Sequence, residues 1–78
     1  MKRRPQTGLE GSFGKTVREM RLSSGLSQEQ LAEAAGLHRN YVGLIERGVN
    51  SPSLSAIVSL AAALGIGAAE LVRRAERR

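Results

Sequence analysis

Few side chains in this sequence are suited to catalysis. The chain has no cysteine and no aspartate, and His38 is its only histidine, so a catalytic triad and a Cys/His metal cluster are both excluded. Gly14, Lys15 and Thr16 match the end of a phosphate-binding loop, but that motif requires a glycine five residues before Gly14, where Leu9 stands. We therefore expect a protein that is not an enzyme and that uses no metal, cofactor or small-molecule ligand.

The net charge of the sequence is strongly positive. The formal net charge is +5 at pH 7 and the pI is about 11.1. These values favour a polyanionic partner such as nucleic acid, because neutralising phosphates releases counterions. The charge is uneven: residues 1–21 hold six basic and two acidic side chains, residues 73–78 hold four arginines and one glutamate, and residues 22–72 hold two arginines and four glutamates. The net charge alone does not locate a binding face.

The size and composition indicate one small soluble domain. A chain of 78 residues, 41% of them hydrophobic, has enough apolar residues for one core and no room for two. The basic start at Met1–Pro5 is not followed by an apolar segment, so the pattern of a signal peptide is missing. The main apolar stretch, Ala56–Leu64, is too short to span a membrane. We expect a cytoplasmic protein without membrane contact.

The first segment is predicted to be an arm followed by a helix. Glycine and proline interrupt residues 1–11, which we expect to form a flexible basic arm. Phe13, Val17 and Met20 then recur at helical spacing over residues 12 to about 24. Gly25 is suited to end this helix in a left-handed conformation.

Capping residues mark the beginning of most of the remaining helices. Ser27 and Gln30 stand at the spacing of a capping box, and His38 and Ser53 occupy cap positions further along the chain. No segment alternates like a strand. The helices predicted after the first one span residues 28–35, 39–47, 54–64 and 68–76. The predicted fold class is all-α, a compact bundle of five helices over residues 12–76 with a basic tail end at residues 77–78.

The second and third predicted helices form a 20-residue unit, residues 28–47, with the spacing of a helix-turn-helix. Ala32 is small where the two helices cross, and Gly36 can adopt positive φ in the turn. Three apolar residues are predicted to point inward and fix the crossing: Leu31, Val42 and Ile45. Any small pair of helices shares some of these features, so spacing alone leaves DNA binding and a purely structural bundle as alternatives.

The sequence resembles the Cro and phage-repressor type of helix-turn-helix domain. The segments LSQEQLAEAAGL, IERG and PSL…LAAALGI carry this resemblance, which covers residues 13 to about 72. Within that family, HRNYVGLIERG at this compact length most resembles restriction-modification controller proteins, which are small homodimeric regulators. The resemblance implies a lambda-repressor-like fold and a repressor or activator of transcription that binds a pseudo-palindromic operator in double-stranded DNA as a homodimer. RNA polymerase would be a further partner of an activator.

The resemblance also implies which side chains contact the bases. The N-terminal part of the third helix would enter the major groove of DNA. Arg39 can donate two parallel hydrogen bonds to guanine N7 and O6, and Asn40 can contact an adjacent base or a phosphate. Tyr41 can place its ring on a thymine methyl group or donate its hydroxyl to a phosphate, and Leu44 can contact a further methyl group. For Tyr41 and Leu44, packing or plain exposure is the alternative.

The residues implied for phosphate contacts lie near the ends of the second and third helices: Gln28, His38, Arg47, Asn50 and Ser51. Gln28 begins the second helix, where free N–H groups favour an anion. His38 is expected to be a helix cap or a phosphate donor. A solvated polar side chain is the alternative at these positions.

Three more residues stand out once the family is considered. Arg21 and Glu46 match a pair that the family buries as a salt bridge between the first and third helices, so we expect them to be structural. Gly43 stands where the family usually has a polar residue. Because a glycine inside a helix costs about 0.5–1 kcal/mol relative to alanine, we expect either close approach of DNA at Gly43 or a locally soft helix.

The fourth and fifth helices are predicted to form a dimer interface. A helix that is apolar on nearly every side requires a second burial surface. The residues assigned to the intramolecular face of the fourth helix are Leu54, Ile57, Leu60, Ala61 and Leu64. The residues assigned to the twofold interface are Val58, Ala62, Ile66, Leu71 and Val72. Ordinary core packing is the alternative for this second set.

A different class of function is also consistent with the sequence. Antitoxins of toxin–antitoxin pairs use the same domain, with a protein as the main partner and DNA binding as a secondary activity. Such proteins usually devote an extra segment to the partner. Here only residues 1–11 and 73–78 are spare, and both segments are basic rather than apolar.

Overall fold

The structure, a computed structural model, describes residues 8–78 and contains five α-helices there. They are α1 (Leu9–Ser23), α2 (Gln28–Ala35), α3 (Arg39–Glu46), α4 (Leu54–Leu64) and α5 (Ala68–Glu76). No strand occurs in this part of the chain. The all-α fold class is confirmed, and the bounds of α2, α4 and α5 coincide with the predicted ones.

The first helix begins three residues earlier than predicted. The Ser12 N–H donates to the Gly8 carbonyl oxygen at 3.1 Å, so helical bonding starts at Leu9. The predicted arm is therefore wrong for residues 9–11, while its residues 1–7 lie outside the described residues. Gly11 suggested a loop in the sequence, but a glycine inside a helix is only mildly unfavourable and is accommodated here.

Side-chain caps fix the starts of α2 and α4. The Ser27 hydroxyl accepts a hydrogen bond from the Gln30 N–H at 3.0 Å, and the Gln30 side-chain oxygen accepts one from the Ser27 N–H at 2.8 Å. The predicted capping box is thus confirmed. At α4, the Ser53 hydroxyl accepts from the Ala56 N–H at 3.1 Å. These bonds satisfy backbone donors that have no partner inside the helix.

One cluster of buried side chains joins the five helices. α1 packs against α3 and α5, and α2 packs against α3 and α4. The largest fully buried side chains are Leu31, Ile45, Leu60, Leu71, Val17 and Val42. The inward direction predicted for Leu31, Val42 and Ile45 is confirmed. Leu54, which we assigned to the intramolecular face of α4, is instead 78% exposed.

α1 meets the end of α3 at a glycine. Gly14 is buried, and a Cβ there would overlap the Ile45 carbonyl oxygen and lie 2.7 Å from the Glu46 carbonyl oxygen. Only a residue without a side chain lets the two backbones approach this closely. Gly14 therefore lies in a helix crossing rather than in a phosphate-binding loop.

Within residues 8–78, no single helix is both long and apolar enough to cross a membrane. α4 and α5 reach that length and composition only as a pair, and they are bent by 98° at their junction. The same residues contain no group of three or more His, Cys, Asp or Glu side chains arranged to hold a metal ion.

Candidate nucleic-acid interface

A buried ion pair anchors the last turn of α3 to α1. Arg21 Nε donates to Glu46 Oε2 at 2.7 Å, and Arg21 Nη2 donates to Glu46 Oε1 at 3.0 Å. Arg21 Nη1 donates to the Leu26 carbonyl oxygen at 2.9 Å. The hydrogen bonds to Glu46 favour the charged guanidinium and raise the pKa of Arg21 above its usual value. The predicted buried salt bridge is confirmed.

The same carboxylate orients Gln28 at the start of α2. Gln28 Nε2 donates to Glu46 Oε1 at 3.0 Å. This bond fixes which end of the amide is directed at Glu46, because only the nitrogen can donate. The Gln28 oxygen and its second N–H then remain for other partners. A residue predicted to contact phosphate is thus held in place by the interior of the domain.

Gln28 borders an open groove between α2 and α3. The groove is lined by Gln28, Arg39, Asn40, Gly43, Leu44 and Arg47. All of these except Gly43 were predicted to contact DNA, so the fold brings together side chains from both helices and from the residue that follows α3. Arg39 and Arg47 belong to none of the four ion pairs found within residues 8–78. Their guanidinium groups remain open to an external anion or acceptor.

The N-terminus of α3 presents its polar side chains to solvent. Arg39 and Asn40 are both exposed. His38 Nδ1 accepts a hydrogen bond from the Asn40 N–H at 3.2 Å, which confirms that His38 caps the helix. Because Nδ1 is the acceptor, the proton of a neutral ring lies on Nε2 and makes that atom a donor. His38 can therefore cap the helix and donate to an anion at once.

Tyr41 does not line this groove. Its ring is half-buried against the core, and its hydroxyl oxygen accepts a hydrogen bond from the Ser53 N–H at 3.1 Å. The side chain thus joins α3 to the start of α4, in line with the packing alternative that the sequence left open. The hydroxyl hydrogen is not needed for this bond and remains a donor.

Asn50 and Ser51 lie in the segment between α3 and α4, and neither lines the groove. Asn50 is half-buried and Ser51 is exposed. Gly48 turns the chain there with φ of +74°, a conformation that favours glycine. Ser51 borders a small apolar hollow together with residues such as Phe13 and Ile57. These two residues, predicted to contact phosphate, therefore do not join the side chains that line the groove.

The residues predicted for the dimer interface occupy different environments. Val58 and Ala62 are exposed on α4, and Ile66 and Val72 are half-buried. Leu71 is fully buried in the core, so its assignment to an interface is wrong. The amphipathic α5 turns this side chain toward the other helices, and helical periodicity alone could not say which apolar residue of α5 would point inward.

Leu54 is an exposed apolar residue of α4 that the interface prediction did not include. Leu54 is 78% exposed and continues the line of Val58 and Ala62 at a spacing of four residues along α4. Residues four apart lie on the same face of a helix, so these three form one apolar stripe. The spacing was the signal in the sequence, but Leu54 also fitted the inward face.

Comparisons with known proteins identify the family. A family model described as helix-turn-helix matches residues 17–71. Control protein C.SmaI of Serratia marcescens is 45% identical over 62 residues, which cover 80% of this chain and 74% of that protein. Control protein C.BamHI of Bacillus amyloliquefaciens is 46% identical over 61 residues, which cover 77% of this chain and 75% of that protein.

The fold agrees with these sequence matches. The crystal structure of the restriction-modification controller protein C.AhdI from Aeromonas hydrophila superposes with a TM-score of 0.77 at 50% sequence identity. The match covers 80% of this chain and 94% of that one. The chain therefore belongs to the helix-turn-helix family and, within it, to the restriction-modification controller proteins.

Proposed function

We propose that this protein regulates transcription by binding a pseudo-palindromic operator in double-stranded DNA as a homodimer, and that it is not an enzyme. The observation that carries this proposal is the groove between α2 and α3. Arg39 and Arg47 present unpaired guanidinium groups there, and the buried Arg21–Glu46 pair holds α3 in place beneath them. The control proteins among the relatives support the same function.

In this proposal, α3 enters the major groove and contacts base edges. Arg39 donates two hydrogen bonds to a guanine, and Asn40 contacts the neighbouring base. Leu44, which is half-buried in the groove, contacts a thymine methyl group. The helix is fixed at its start by the His38 cap and at its end by Glu46, so the side chains that read the sequence are carried on a rigid element.

Phosphate contacts flank the base contacts. Gln28 lies in the first turn of α2, where the helix dipole and free N–H groups attract an anion. His38 Nε2–H and the Tyr41 hydroxyl hydrogen are further donors near α3. Asn50 and Ser51 extend this set beyond the helix. Such contacts position the protein on DNA without reading its sequence.

The proposed homodimer interface consists of the apolar stripe on α4, formed by Leu54, Val58 and Ala62, together with the half-buried Ile66 and Val72. A second copy of this chain would pack against this surface. A twofold contact places a surface against itself, so like charges there would repel one another. α4 carries no charged residue, and its stripe is exposed and apolar. This arrangement would place two copies of α3 about one turn of DNA apart.

The experiment that tests this function is selection of bound duplexes from a random DNA pool at fixed salt. Wild type should enrich a palindromic consensus. Arg39→Ala should lose its preference at one base position in each half-site. Arg77→Ala removes the same charge from the exposed end of α5 and should retain the full consensus.

Failure of the wild type to enrich any sequence would contradict the proposal. If the protein also co-purified with a second protein in stoichiometric amount, the proposed function would instead be that of a protein-interaction module. Each selection should be repeated at two salt concentrations, because a sequence-independent affinity for phosphates falls steeply with salt.

A further inference from the structure

The floor of the groove between α2 and α3 is a glycine. Gly43 is buried, although it lies on the side of α3 that faces the groove. A Cβ built at Gly43 would lie 3.3 Å from Arg47 Nη1, 3.7 Å from Gln28 Oε1 and 3.9 Å from Gln28 Nε2. Two polar side chains therefore occupy the space where a side chain at position 43 would be.

This arrangement determines where the Arg47 side chain lies. Arg47 follows α3 directly as its C-cap with helical backbone angles, and it comes four positions after Gly43, so both lie on one face of the helix. Its long side chain turns back along α3 and places the guanidinium over Gly43. The resemblance to the family implied a phosphate contact for Arg47. In the structure its side chain lines the same groove as Arg39 and Asn40.

We propose that Gly43 is a specificity-determining position, because its missing side chain lets Arg47 reach back into the groove and contact a base edge. This inference rests on the proposed function and deepens it. A guanidinium has five donors in a fixed planar fork that matches guanine N7 and O6. Gln28, which the interior holds through Glu46, forms the other wall of the space that Arg47 occupies.

The space at Gly43 can be filled in steps. Gly43→Ala requires the tip of Arg47 to move by only a few tenths of an ångström, whereas Gly43→Leu fills the space that the guanidinium occupies. Both substitutions replace glycine with a better helix former, so the thermal midpoint should stay at or above that of wild type. A loss of specificity in these variants would then not result from unfolding.

The test measures duplex selection and affinity for wild type, Arg47→Ala, Gly43→Leu and the double variant. Arg47→Ala should lose about tenfold discrimination at one base position per half-site, and Gly43→Leu should lose it at the same position. The double variant should bind no more weakly than Arg47→Ala alone, because Gly43→Leu acts through Arg47. Gly43→Ala should show a smaller loss at that same position, which keeps the test informative if Gly43→Leu proves unstable.

Two results would overturn the inference. If Arg47→Ala weakened binding to all sequences equally and reduced the salt dependence, Arg47 would be a phosphate contact. If Gly43→Leu lowered affinity as much in the Arg47→Ala background as in wild type, its side chain would simply clash with DNA. Either result would leave the proposed function standing, whereas that function fails only if wild type enriches no sequence.

Discussion

Gln28 donates a hydrogen bond of 3.0 Å to the Glu46 carboxylate, which also accepts two hydrogen bonds from the buried Arg21 guanidinium. One carboxylate thus links an interior ion pair to a residue of the proposed DNA surface. The stability of the domain and the position of this surface depend on the same three side chains.

We predict that the main effect of Arg21→Ala is a loss of folding stability rather than a change in the preferred DNA sequence. The substitution leaves the Glu46 carboxylate buried without its partner, which costs about 3–5 kcal/mol in free energy of unfolding. Urea unfolding monitored by circular dichroism measures this loss. Arg18→Ala, an exposed position on the same helix, should change the free energy by less than about 0.5 kcal/mol. Equal stability of the two variants would mean that the ion pair is not structural.

Gly14→Ala and Gly43→Ala should affect stability differently, although both replace a buried helical glycine. At Gly14 the new Cβ meets the backbone carbonyls of Ile45 and Glu46, so α1 and α3 must separate. We expect a loss of about 1–3 kcal/mol, typical of overpacking. At Gly43 the nearest atoms belong to flexible side chains, so the stability should be unchanged or slightly higher. Thermal unfolding measures the stability of both variants. No loss in Gly14→Ala would contradict the close crossing at Gly14, and a loss in Gly43→Ala would contradict the flexible surroundings of Gly43.

Val58→Glu should convert the proposed homodimer to a monomer while the domain stays folded. The substitution brings a carboxylate from each protomer into the proposed apolar interface, and Val58 is exposed in the single chain. Leu22→Glu is the matched control, because Leu22 on α1 is exposed to the same extent, 52%, outside the stripe. Sedimentation at micromolar concentration distinguishes the species. A dimer that survives Val58→Glu and dissociates with Leu22→Glu would place the interface on α1.

The contact between Arg78 and Glu19 should make a small contribution to stability that disappears in acid. The hydrogen bonds from Arg78 lower the pKa of Glu19 below its usual value of 4.5. A lowered pKa in the folded state contributes stability above pH 4.5, and this contribution is lost as the pH falls through the lowered value. The thermal midpoints of wild type and Arg78→Ala should therefore differ at pH 7 in low salt and converge well below pH 4. A difference that persisted in acid would have another origin.

The sequence by itself determined the helices and most of the members of the site. The capping box of Ser27 and Gln30, the cap at His38 and the glycine turns are local signals that act over a few residues. Such signals do not depend on the rest of the fold, so the ends of the helices could be predicted from the sequence. The resemblance to the family then identified the side chains of α3 that line the groove.

Only the tertiary structure decided which faces of the helices meet. It buried Leu71, exposed Leu54, joined Tyr41 to Ser53 and laid Arg47 across Gly43. α4 is apolar on nearly every side, so its periodicity could not distinguish the inward stripe from the outward one. Arg47 has several rotatable bonds, and its direction depends on the space left by Gly43 and Gln28. Packing between segments distant in sequence selects one arrangement among several that local patterns allow equally.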